Sequence, residues 1–62
     1  MGKEPASTVT VTAHCDDKEH VHVSIRTGMH QLDECFYVVD GKTEIRDLHD
    51  GQSIQIVKEK KT

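Results

Sequence analysis

The chain has 62 residues, 34% of them hydrophobic and 31% charged, with a net charge of −3 when its five histidines are neutral. That length holds one domain with a thin core, near the lower limit for folding without a disulfide, a metal or a second copy. No apolar run approaches the ~20 residues of a membrane helix, and the interleaved charges leave no basic stripe for nucleic acid. Residues 1–6, with Gly2 and Pro5, read as a flexible leader, and a single β domain is expected over 7–58. Lys60 and Lys61 fall in a short basic tail, 59–62, read as solvated. A cytoplasmic location is the expectation.

From Ser7 the sequence alternates. Val9, Val11 and Ala13 share one face, and Thr8, Thr10 and Thr12 the other, as in a half-buried strand. A second alternation sets Val21, Val23 and Ile25 against His20, His22, Ser24 and Arg26. A hairpin across the polar run His14–Glu19 would place Val11 opposite Val23 and bring both apolar sets onto one face. Gly28–Glu34 is expected to hold at most one helical turn, with Met29 and Leu32 plugging an end of the core.

Further on, Asp40-Gly41 is a two-residue hairpin signal of type I′. It would pair Val38 with Thr43 and Phe36 with Ile45, leaving Cys35, Tyr37, Val39, Lys42, Glu44 and Arg46 on the opposite face. A four-residue loop, Leu48–Gly51, would then set Ile45 opposite Ile54 and Thr43 opposite Ile56. Both hairpins choose the same inward face for their shared strand. The sum is an all-β fold: a small five-stranded antiparallel barrel, SH3-like or OB-like, or a compact two-layer sheet.

The chemistry-bearing residues are few. Two separated cysteines, Cys15 and Cys35, make neither a zinc ribbon nor a redox Cys-x-x-Cys, and read as free thiols. No phosphate loop is present, and a Cys15–His22 pair has no oxyanion hole to serve it. With Phe36 and Tyr37 as the only aromatics, no base-stacking platform exists. An enzyme is therefore not expected, nor a cofactor.

Two functional readings follow. The first is a small protein-binding module, a regulator or inhibitor that occupies a larger partner, with Tyr37, Val39, Lys42, Glu44, Arg46 and Gln55 as the contact patch. Self-association through exposed strand edges is compatible with it. The second is a transition-metal or small-ligand site on His14, Cys15, His20 and His22, since His20 and His22 project from one side of a strand.

The run from His30 to Gly41 is similar in part to the cupin metal motif, which implies His30 and Glu34 as ligands and Gly41 as the turn glycine. Gly28 stands where that motif has its first histidine and Ile54 where its later one is expected, so the chain is not assigned to that family.

Overall fold

A computed structural model of the chain describes residues 7–61, so the leader 1–6 and Thr62 lie outside the described residues. Among the described residues, five antiparallel strands and no helix form two sheets: β1 (Ser7–Thr12), β2 (Glu19–Thr27), β3 (Gln31–Val38), β4 (Thr43–Leu48) and β5 (Gln52–Lys60). One sheet is the ribbon β1–β4, and the other has the order β3–β2–β5. The ladders do not close into a barrel among the described residues.

Both Asp-Gly sites form tight turns of one kind, neither the type I′ hairpin expected at Asp40-Gly41 nor the four-residue loop expected over Leu48–Gly51. Lys42 N–H donates to the Val39 carbonyl and Gln52 N–H to the His49 carbonyl, each at 3.0 Å. In each turn only the glycine has positive φ, 82° at Gly41 and 85° at Gly51, whereas a type I′ turn also needs positive φ at the preceding aspartate. Positive φ at the third position alone is the type II pattern. Such turns splay their flanking strands instead of matching hairpin twist. Each turn therefore carries the chain from one sheet to the other, and neither expected hairpin forms: β3 pairs β2, β4 pairs β1, and β5 pairs β2.

The first expected hairpin also gives way. β1 pairs with β4, Val9 opposite Arg46 and Val11 opposite Glu44. Two further bonds, Ala13 N–H to Lys42 O and Gly41 N–H to Ala13 O, carry that ladder past Thr12. The expected apolar faces of β1 and β2 nonetheless point into the core: Val11, Ala13, Val21, Val23 and Ile25 are all buried. Val11, Ala13, Val21 and Val23 meet, together with Val38, by packing between layers and not through a β1–β2 ladder, with Val9, Cys15, Phe36 and Ile54 partly buried against the same cluster. The short dimension of the molecule, in an overall 46 × 24 × 10 Å, is about the spacing of two stacked sheets.

The register of β4 inverts the expectation for its side chains. Opposite Val9 and Val11, Arg46 and Glu44 turn inward, while Ile45 turns out and is 60% exposed. Arg46 then covers Phe36, its guanidinium carbon 4.2 Å from the ring centroid. Of the expected inward set, Val38 is buried, Phe36 and Ile54 are half-buried, and Ile45 and Ile56 are exposed. On β5, Ile54 still packs against the core cluster, whereas Ile56 is 52% exposed.

Two boundaries also shift. Residues 31–34 are strand, not a helical turn, and Met29 and Leu32 are exposed instead of plugging the core. β5 runs to Lys60, two residues into the expected basic tail, and Lys61 N–H still reaches the Lys18 carbonyl at 2.8 Å.

Candidate functional site

The three-stranded sheet presents its second face away from the ribbon. Period-two alternation sends His20, His22, Ser24 and Arg26 of β2 to that side. The ladder then sets His22 opposite both Tyr37 of β3 and Val57 of β5, Ser24 opposite Cys35 and Gln55, and His20 opposite Glu59. Directly opposed residues share a face, so these side chains form one surface.

Its centre is a row of four side chains across all three strands. The Tyr37 ring lies 4.4 Å from the His20 ring, tilted by 50°, and 4.9 Å from the His22 ring, stacked within 28°. On the far side of the imidazoles, Glu59 reaches both. Its Oε1 is 3.1 Å from His20 Nε2 and its Oε2 is 3.3 Å from His22 Nδ1. Those two hydrogen bonds, the one to His20 foremost, hold the Glu59 carboxyl below the ordinary carboxylate range. Each imidazole is thus fixed by a carboxylate on one side and by Tyr37 on the other. Tyr37 itself remains 58% exposed, which makes it an ordered aromatic on an open face.

The expected contact residues divide between the sheets. Tyr37 and Gln55 belong to this face, and Val39, just beyond β3, is exposed beside it in sequence. Lys42 lies exposed at the end of the Val39–Lys42 turn. Glu44 and Arg46 sit on the other sheet, where Arg46 donates to Glu34 at 2.8 Å and to Glu44 at 3.0 Å over the Phe36 ring. They hold the layers together at that edge and do not extend the Tyr37 surface.

Glu59 falls in the expected tail, 59–62, and so outside the expected contact patch, yet it lies within β5. The signal was available in the alternation Ser53, Gln55, Val57, Glu59, which continues one face of β5.

The expected metal set does not assemble. His20 and His22 do share a side, but Cys15 turns toward the core, its Sγ 3.6 Å from the Glu19 carbonyl oxygen, and His14 is exposed in the connection. Among the described residues, no three His, Cys, Asp or Glu side chains are placed to hold a metal ion. The partial cupin motif fares similarly, since His30 is exposed in the β2–β3 loop and Glu34 is engaged by Arg46. Both cysteines are free.

A second polar cluster pins the far end of the same sheet. The ladder slips between Ile25 and Arg26, leaving Asp33 as the extra residue of a β-bulge. Its carboxylate accepts from Thr27 Oγ1, from Gln31 Nε2 at 2.7 Å and from Gln52 Nε2 at 2.9 Å, joining all three strands. These bonds, led by that of Thr27, lower its pKa.

No family model matches the chain, and no curated protein or solved structure is significantly similar to it. Among the described residues, no helix is long and apolar enough to cross a membrane. The functional reading therefore rests on the surface itself.

Proposed function

We propose that the chain is a small non-catalytic protein-binding module, a regulator or inhibitor that docks through the outer face of β3–β2–β5 and occupies a larger protein. The observation that carries this reading is Tyr37, exposed yet held between His20 and His22, which Glu59 fixes in turn. A rigid aromatic loses little conformational entropy on contact, and tyrosines of this kind dominate binding energies at interfaces. Val57 supplies an apolar flank, and Gln55 and Arg26 supply a polar rim. Cys15, which a Cys15–His22 nucleophile pair would need, faces the core instead. Two unbridged thiols fit a reducing compartment and support a cytoplasmic site of action.

The test is affinity capture from a lysate of the cell that makes the protein, comparing wild type with Tyr37→Ala and Ile45→Ala. Tyr37→Ala should weaken capture by at least about tenfold, the loss of an average hot spot, and Ile45→Ala on the ribbon's outer side should not. Undiminished capture by a folded Tyr37→Ala protein would count against this face.

A further inference from the structure

β5 is the longest strand in the fold that is paired on one side only. β2 takes one edge of its nine residues, and among the described residues no strand takes the other. An unpaired edge is a row of backbone donors and acceptors ready for another strand. The remaining edges are less open to this. β3 is broken by the Asp33 bulge, and β1 and β4 have six residues each.

The side chains of β5 agree with its backbone. Ile56 lies opposite Val23, which is fully buried, yet Ile56 is 52% exposed. It is also the midpoint of the strand Gln52–Lys60.

We propose that β5 pairs antiparallel with β5 of a second copy of this chain, about a two-fold axis at Ile56. This goes beyond the docking role of the Tyr37 face and does not rest on it. An axis at the midpoint engages the whole strand and fixes every opposition. Ile56 meets the partner's Ile56, Gln55 the partner's Val57, Ile54 the partner's Lys58, Ser53 the partner's Glu59 and Gln52 the partner's Lys60.

No like charges face each other in this register, and the Lys58 stem covers Ile54 while its ammonium stays in water. Moving the axis to Lys58 would set that lysine on its own copy and shorten the ladder. The contact is isologous, so it closes at two copies and does not propagate into a fibre. It joins the two three-stranded sheets into one of six strands, with both Tyr37 surfaces on the same side.

Sedimentation equilibrium from micromolar to millimolar concentration tests this, on wild type and on Ile56→Lys, Ile56→Glu and Ile56→Thr. Wild type should approach twice its 7.0 kDa mass. Each charged variant should stay at the single mass with an unchanged far-ultraviolet circular dichroism spectrum, because like charges then meet at the axis. An equimolar mixture of the Lys and Glu variants should recover the dimer. Ile56→Thr adds no charge and should weaken association by about tenfold, roughly one apolar side chain's share. Wild type at the single mass throughout, dimers that persist in both charged variants, or a mixture of folded variants that stays monomeric would each overturn the proposal.

Discussion

His22 lies against Tyr37 with ring centroids 4.9 Å apart and planes within 28°, while its Nδ1 sits 3.3 Å from Glu59 Oε2. One imidazole thus links the only tyrosine of the chain to a carboxylate two strands away. No tryptophan is present, so the intrinsic emission of the protein reports Tyr37 alone. Glu59→Gln, which keeps the size of the side chain but loses its charge, should loosen both imidazoles. A changed Tyr37 fluorescence anisotropy with little change in unfolding midpoint is the expected outcome. Unchanged anisotropy would mean that Glu59 does not order the site.

Two carboxylates contribute to the acid limb of stability. Glu59 and Asp33 both have pKa values lowered in the folded protein, by the His20 hydrogen bond foremost and by that of Thr27 foremost, respectively. The unfolded chain binds protons more readily at both sites, so their contribution is complete above the ordinary carboxylate range near 4. It disappears as pH falls through the lower folded values. Denaturant midpoints should therefore fall below about pH 4.5, and less steeply in a Glu59→Gln/Asp33→Asn double variant. An equally steep fall in that variant would place the acid sensitivity elsewhere.

Core substitutions separate this fold from a consecutive-hairpin meander. Val23 is completely buried between the layers, whereas Ile45 is 60% exposed on the ribbon. Val23→Ala should cost about 1.5–3 kcal/mol from lost transfer and the residual cavity. Ile45→Ala should stay within about 0.5 kcal/mol. A meander built on the Asp40-Gly41 hairpin would make Ile45 a core residue, so comparable losses at both sites would contradict the sheet assignment.

The sequence carried the faces of β1 and β2 because β-branched residues alternate there without interruption, and a period-two pattern survives whatever strand lies alongside. It did not carry the partners. Asp40-Gly41 and Asp50-Gly51 satisfy a type I′ turn and a type II turn alike, since both place a glycine where positive φ is needed. Which turn forms is decided by the stacking of the ribbon on β2, a long-range effect. Arg46 is the clearest casualty: the Asp40-Gly41 hairpin register sets it on the outer face, but its pairing with Val9 turns it inward, where Glu34, Glu44 and the Phe36 ring satisfy it. In the site, Tyr37, His20 and His22 were legible from alternation. Their convergence with Glu59 was not, because it depends on β5 pairing with β2.

The turns themselves can be tested at Asp50. It occupies the second position of the His49–Gln52 turn, where a type II turn accepts proline. Asp50→Pro should raise stability by about 0.5 kcal/mol, by restricting the unfolded chain. A type I′ turn needs positive φ at this position and would be broken by proline, so a marked loss in the urea midpoint would contradict the type II turn.

The most direct test of the Tyr37 surface is site-specific photo-cross-linking. Benzoylphenylalanine would be placed at position 37 in one protein and at position 45 in another, and each irradiated in a lysate of the cell that makes the chain. The expected result is a discrete higher-mass protein adduct from position 37, competed away by excess wild type, and none from position 45. Adducts from position 45 alone, or equal adducts from both, would contradict a docking face on β3–β2–β5.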